Sequence, residues 1–344
     1  MDYRSLGRTG VHVRSLCVGC WMFGNRVAAD TAQKIVATAL EAGVNFFDTA
    51  NVYPATAGLR GESERILGRA LNSCGARART IVATKVHMPM DPADPNGGGV
   101  SRRHIIEQCE QSLRRLNTDW IDLYYLHRPP TSIPVDEALR ALDDLIRSGK
   151  VRYIGTSHSS AWGFVESLWA AKELGLNRFV AEQPPYNILD RSIERELIPM
   201  ARSFGVAVNP YMPLGGGLLT GLYRRGLPPP AGSRYADPQY ASSSLFGPRF
   251  TSAVHDVNDV LRPLAESRRC SVASLAFNWA RSQPGITSPI LGPESVADLQ
   301  DILDGSGAAL EPADLAAIDA VVGPGQSVSP FYEPDRSPHF HRIG

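Results

Sequence analysis

The chain has 344 residues, and its 35 Lys and Arg are matched by 35 Asp and Glu. That balance leaves no broad basic footprint for nucleic acid or an anionic membrane, while 43% hydrophobic, 8% aromatic and 20% charged residues exclude a disordered chain. No run of 18 apolar residues occurs, the start MDYRSLGRTG lacks the apolar stretch of a secretory signal, and five scattered cysteines fit a reducing compartment; a globular, cytoplasmic protein is expected.

In chain order, a short N-terminal stretch fits a β-hairpin, and Leu16 to Cys20 reads as a buried strand. Cys17 and Cys20 form a lone C-x-x-C, which without a second pair or a helix to carry it reads as buried packing. Asp30 is expected to cap a helix reaching about Ala42. The alternation continues with strand Val44 to Asp48, helix Glu62 to Leu71, strand Thr80 to Lys85 and helix Ser101 to Leu116. Strand Trp120 to Leu126, helix Val135 to Ser148, strand Val151 to Gly155 and helix Ala161 to Leu174 follow. The last units are strand Phe179 to Glu182, helix Ile193 to Phe204, strand Val206 to Asn209, helix Val272 to Arg281, strand Thr287 to Leu291 and helix Ser295 to Leu303.

Eight short strands, apolar on both alternations and each followed by a helical pattern, predict a single-domain α/β (β/α)8 barrel. A doubly wound sheet would need a G-x-G-x-x-G turn after its first strand, where this chain has GCWMFGN. The barrel is expected over residues 1–326, with a long loop after the seventh strand from Leu214 to about Arg249 that reads as a lid or binding segment. Beyond a final helix at Pro312 to Val321, residues 327–344 read as a C-terminal tail, whose His339 and His341 are assigned to its surface rather than to a metal site.

Barrel chemistry sits at the carboxyl ends of the strands. There Asp48 ends the second strand in NFFDTANVY with Tyr53 five residues on, Lys85 ends the third, and His127 ends the fourth in IDLYYLH. Each alone has an ordinary structural reading as a helix cap, a packed tyrosine, a rim lysine or a core histidine; their placement together on consecutive strand ends points to chemistry. An adjacent ammonium lowers a phenol's pKa from about 10, so Lys85 is expected to tune Tyr53 as a general acid, with Asp48 holding the lysine and neutral His127 donating to a carbonyl oxygen. No Ser, Cys or metal cluster among them supplies a nucleophile, which leaves a bound hydride donor.

These motifs resemble those of the aldo-keto reductase superfamily over nearly the whole chain: YRSLGRTGVHVRSLCVGCWMFG, NFFDTANVY with GESERILGRAL, ATK, DLYYLHRP and LIRSGKVRYIGTS occur in the family's order. The resemblance implies reversible reduction of an aldehyde or ketone by NADPH or NADH, without metal, on a tetrad of Asp48, Tyr53, Lys85 and His127 with Tyr53 as proton donor. It places Ser157 and Gln183 on the nicotinamide carboxamide and Tyr211 against the ring, with Trp21, Asp48 and His158 beside the cofactor. PLGGGLLTG, from Pro213 through Leu214, Gly215, Gly217 and Leu218, resembles a pyrophosphate-covering loop. Gly292, Pro293, Glu294, Ser295 and Asp298 fall at the adenosine end, near a helix N-terminus suited to an anion.

Departures from the family pattern are His158 for Asn, Glu294 for Arg, and Asp298 and Ile302 for Gln and Asn. A carboxylate at 294 would repel the 2′-phosphate unless a cation intervenes, so NADP(H) is the family default and NAD(H) the alternative. The substrate mouth is expected from Trp21, Met22, Phe23, Tyr53, His87, Met88, His127, Arg128 and Tyr186, with Arg128 either steering an acidic group or pairing with a carboxylate. Its small-molecule partner is a carbonyl compound or alcohol; a redox-sensing, cofactor-binding subunit like channel-associated members of the family and an oxidative alcohol or sugar dehydrogenase are the alternatives. The substrate and the oligomeric state stay open.

Overall fold

In the computed structural model, which describes residues 1–332 apart from positions 57, 92, 130–132 and 245, the chain opens with an antiparallel hairpin of β1 (Tyr3–Ser5) and β2 (His12–Arg14). Leu6 and Val13 of this hairpin are fully buried among Cys17, Phe46, Ala83, Leu123 and Ala207, so it plugs the amino-terminal end of the barrel interior.

Next come β3 (Cys17–Gly19), α1 (Ala29–Glu41), β4 (Phe46–Asp48), α2 (Glu62–Ser73), β5 (Ile81–Val86), α3 (Arg102–Leu116) and β6 (Ile121–Leu126). The middle of the chain forms α4 (Val135–Arg147), β7 (Val151–Ser157), α5 (Ala161–Leu174), β8 (Ala181–Gln183), α6 (Leu197–Phe204) and β9 (Ala207–Val208). The remainder is α7 (Pro238–Ala241), α8 (Ser252–Ser267), α9 (Val272–Ser282), β10 (Ile290–Leu291), α10 (Val296–Asp304) and α11 (Pro312–Val321).

Eight strands pair in parallel in the order β10-β3-β4-β5-β6-β7-β8-β9. Parallel bridges from Val208 to Ile286 and from Tyr211 to Ile290 join the two ends of that sheet, which gives the expected (β/α)8 barrel. β6 is buried along its full length, as a strand covered on both faces must be. The barrel helices shield the sheet with an apolar stripe: α4 buries Ala138, Leu139, Ala141, Leu142 and Leu145, and keeps Asp136 and Glu137 in its first turn, where negative charge suits the helix dipole. Gly68 of α2 lies so close to the end of α3 that a Cβ there would sit 2.3 Å from the Leu116 carbonyl oxygen, so the pair packs only with glycine.

Details differ from the sequence expectation, among them the start of α6, at Leu197 rather than Ile193. Asp30 lies within the first turn of α1 rather than capping it; the cap position is Ala28, with no side-chain hydrogen bond. α8 was not expected, because Pro263 inside it breaks the helical reading, yet Val254, Val257, Leu261 and Ala265 recur at helical spacing and are buried.

The long connection between β9 and α8 is pinned by its own rings: Tyr240 stacks on Phe246 with centroids 4.2 Å apart, and Tyr235 meets Phe250 at 4.9 Å. After α11 the chain returns to the barrel rim, where buried Asp190 Oδ2 accepts the Phe331 and Tyr332 backbone N–H groups at 2.5 and 2.6 Å. His339 and His341 lie outside the described residues. Cys17 and Cys20 are free, fully buried thiols that pack in different clusters, one inside the barrel and one between sheet and helices. Among the described residues no helix is long and apolar enough to cross a membrane.

Candidate active site

Parallel pairing carries Asp48 and Lys85 to the carboxyl end of adjacent strands, and His127 follows β6 directly. Lys85 is fully buried; its Nζ donates to Asp48 Oδ1 at 2.5 Å and to the Thr49 carbonyl at 2.8 Å. Gln183 Nε2 donates to the other Asp48 oxygen at 2.8 Å, so both carboxylate oxygens are engaged. The Lys85 ammonium stands 4.9 Å from the Tyr53 ring centroid. Tyr53 Oη lies 3.3 Å from His127 Nε2, with the two rings edge to face at 5.6 Å.

The electrostatics depart from expectation at Tyr53. Burial pushes the phenol above its ordinary value, and the Lys85 ammonium offsets only part of that cost, so the net shift is upward and Tyr53 is a protonated phenol at neutral pH. For Lys85, burial pulls the ammonium down, but Asp48 and then Tyr53 outweigh it and hold it charged. His127 falls well below the usual imidazole range because it is buried and faces Lys85, His158 and Arg128. The site therefore presents a neutral phenol beside a neutral imidazole.

From this cluster a cavity of about 1030 Å³ runs along the barrel rim. Asp48, Tyr53 and His127 line its buried inner end; Met88, the exposed Arg128 and Trp21, whose ring centroid lies 5.7 Å from the Arg234 guanidinium, are also on its wall. Ser157, His158, Gln183 and Tyr211 line the next stretch, followed by Pro213, Leu214, Gly216 and Gly217, and then by Gly292, Pro293, Glu294 and Asp298. His158 adopts a left-handed backbone at φ +65, a conformation that His and Asn tolerate better than most residues, and its Nε2 lies 3.3 Å from Tyr211 Oη. The three glycines 215–217 all have positive φ, which side-chain-bearing residues would adopt only with strain, and so let the backbone at 216 and 217 form part of the cavity wall.

Besides Lys85, which stands fully buried behind Asp48, seven expected residues lie off the cavity wall. Met22 and Phe23 are packed into the core, because the chain turns inward immediately after β3, with Phe23 N–H on the Cys20 carbonyl. His87 is half-buried beside the same cluster but turned off the wall, with its pKa drawn down to about 4 by burial and then by Arg128. Tyr186 is fully buried, stacked on Trp279 and donating to Glu194 at 2.5 Å, on a separate hollow. Gly215 is buried behind the loop and Leu218 is in the core. Ser295 caps α10, accepting the Asp298 N–H at 3.1 Å. Asp298 in turn accepts the N–H groups of Glu294 and Ser295 at 2.9 and 3.0 Å, so this helix N-terminus is closed by its own capping box and does not offer the free anion site expected there.

Glu294 has the intervening cations that would alter its effect. Arg234 binds its Oε1 at 2.7 Å and Arg26 its Oε2 at 2.8 Å, and these guanidiniums overcome burial to hold the carboxyl below its usual range. Neither arginine was anticipated, nor were Arg60, Arg249, Phe246 and Phe331, all of which line the cavity. The only local signals were SRY in the long loop, GPR before α8 and the aromatic pair opening the tail.

Behind the wall, fully buried Glu182 braces the 157–159 turn, accepting the Thr156 hydroxyl and, at 3.0 Å, the Ser159 N–H. Burial raises its pKa to about 8. A carboxyl whose folded pKa exceeds its unfolded value stabilises the fold fully below the unfolded pKa, and that contribution drains as pH rises toward 8. Glu182→Gln should therefore flatten the fall in melting temperature between pH 5 and pH 8 relative to wild type; parallel slopes would show that Glu182 does not titrate there.

Fold and site together define a (β/α)8-barrel protein whose polar cluster opens into one long rim cavity. The chain belongs to the aldo/keto reductase family, whose model matches residues 15–322. It is 36% identical over 341 residues to "Uncharacterized oxidoreductase YrpG" of Bacillus subtilis (strain 168), covering 96% of this chain and 99% of the relative. It is 37% identical over 298 residues to "Probable voltage-gated potassium channel subunit beta" of Oryza sativa subsp. japonica, covering 85% and 87%. A further relative, "Putative voltage-gated potassium channel subunit beta" of Schizosaccharomyces pombe (strain 972 / ATCC 24843), is 33% identical with 87% of each chain covered.

Proposed function

We propose that this protein is an oxidoreductase interconverting an aldehyde or ketone with its alcohol, using a nicotinamide dinucleotide. The observation that carries the reading is the protonated Tyr53 phenol, 3.3 Å from a neutral imidazole and backed by the buried Lys85–Asp48 pair, at the inner end of a long cavity. In reduction, Tyr53 Oη gives its proton to the carbonyl oxygen. The phenolate that develops is stabilised by Lys85, which Asp48 keeps charged and in place, and His127 Nε2, when it carries the ring proton, donates to the same oxygen.

The bound dinucleotide supplies the hydride. The residues present fit such a group: Ser157 and Gln183 offer polar atoms and Tyr211 a ring close to the tetrad, the 215–217 backbone turn follows, and Glu294 stands at the far end. We assign NAD(H) as the preferred form, because Glu294 already occupies the two arginines that a 2′-phosphate would need. Glu294→Gln should move the ratio of NADPH to NADH affinity toward NADPH by about tenfold or more, read from quenching of tryptophan fluorescence. Tighter NADPH binding by the unaltered protein would overturn the assignment.

The relatives named as channel subunits favour a second reading, a cofactor-binding subunit with little turnover. Steady-state consumption of NADH with an aldehyde panel supports the enzyme; a single slow oxidation of bound cofactor supports the subunit.

A further inference from the structure

We propose that the substrate is a carbonyl compound bearing a carboxylate, and that Arg128 at the cavity mouth is the residue that selects it. The inference rests on the reading of the site as a carbonyl reductase and narrows it to a substrate class. Among the described residues five arginines line the cavity: 26, 60, 128, 234 and 249. Arg26 and Arg234 are bound to Glu294. Arg60 donates to the carbonyls of Pro89 and Met90, and Arg249 donates to the Pro330 carbonyl while lying over the Phe331 ring. Arg128 is exposed, and no hydrogen bond or ion pair joins its guanidinium to any described residue.

Among the described residues the acidic side of the wall is fully engaged. Asp48 is held by Lys85 and Gln183, Glu294 by its two arginines, Asp298 by the amides at the start of α10, and Asp301 by the Ser271 hydroxyl at 2.5 Å. The last three of these lie at the Glu294 end. At the chemical end Lys85 is neutralised by Asp48, which among the described residues leaves the Arg128 charge uncompensated, one residue from His127. The neighbouring histidines add no charge to it, since His127 and His158 are both depressed by burial and held neutral.

An unpartnered guanidinium at the mouth of a cavity is a receptor for a planar anion, and its fork matches a carboxylate. The same wall carries apolar side chains, Val52, Met88, Trp21 and Phe331, suited to a hydrocarbon or ring spacer.

The test compares 4-carboxybenzaldehyde with its uncharged methyl ester, each with NADH and NADPH, in the unaltered protein and in Arg128→Gln and Arg128→Lys. The acid should be preferred in kcat/KM by about 10- to 100-fold, the preference should collapse in Arg128→Gln, and it should be partly retained in Arg128→Lys. A second readout is independent of turnover: calorimetric binding of 4-carboxybenzyl alcohol and of its methyl ester to the protein with oxidised dinucleotide should show the same selectivity, weakened by salt. Equal handling of acid and ester by the unaltered protein would overturn the inference while leaving the reductase reading intact. Selective binding of the acid without turnover of either aldehyde would keep the anion site and overturn the reductase reading. Selectivity unchanged in Arg128→Gln would remove Arg128 from the role.

Discussion

Replacing Tyr53 with Phe should lower turnover by about 10²- to 10⁴-fold, the range for loss of a positioned general acid, while the dissociation constant of the dinucleotide changes by no more than about threefold. The substitution removes a single oxygen. The Phe ring keeps its edge-to-face contact with His127 and its position beside the Lys85 ammonium, so the wall around the dinucleotide stays in place. The two measurements are separable: single-turnover hydride transfer reports the acid, and fluorescence titration reports binding. Equal loss in both would mean that Tyr53 shapes the cavity rather than supplies a proton. Retained turnover would mean that His127, 3.3 Å away in the unaltered protein, or a water delivers the proton instead.

The upward shift at Tyr53 fits this role better than the lowered pKa expected from sequence. A phenol that ionised near neutral pH would spend part of its time as a phenolate with no proton to give. Here burial keeps the proton on Oη until a carbonyl oxygen accumulates charge, and Lys85 acts on the phenolate that the reaction creates. The sequence supplied the neighbours and hence the sign of each influence; their relative size depends on how completely the barrel top closes over Tyr53.

The same division runs through the rest of the molecule. The barrel was legible because its strands are apolar on both faces and its helices carry one buried stripe, and both are local patterns. Asp48, Lys85 and His127 were legible because a strand end is a local landmark. The Arg26–Glu294–Arg234 clasp was not, since its members are separated by 268 and 60 positions and meet only when β3, the long loop and β10 close around the rim. Tyr186 was misplaced for a related reason: it sits three positions after Gln183, but the intervening pair of prolines turns the chain, and its hydroxyl finds Glu194 instead. Met22 and Phe23 were misread because the three-residue turn after β3 buries apolar side chains that a straight continuation would have left at the mouth.

Lys85→Met should produce the largest loss of stability, about 3–5 kcal/mol, because it leaves a carboxylate buried without its cation. Asp48 is almost fully buried, and with Lys85 gone only the Gln183 amide would remain on it. Burial already tends to raise its pKa, and Lys85 is the leading influence opposing that. In the variant the folded-state pKa therefore climbs further above the unfolded value, so the contribution of this group is fully present in acid and is lost as pH rises. Denaturant midpoints should accordingly show Lys85→Met closest to the unaltered protein near pH 4 and furthest from it near pH 8. Adding Asp48→Asn should recover much of the loss at pH 8 without restoring turnover, since an amide needs no counter-ion but cannot hold an ammonium beside Tyr53. A deficit that is the same at both pH values, and unrelieved in the double variant, would show that Lys85 supports the barrel by packing its stem rather than by balancing Asp48.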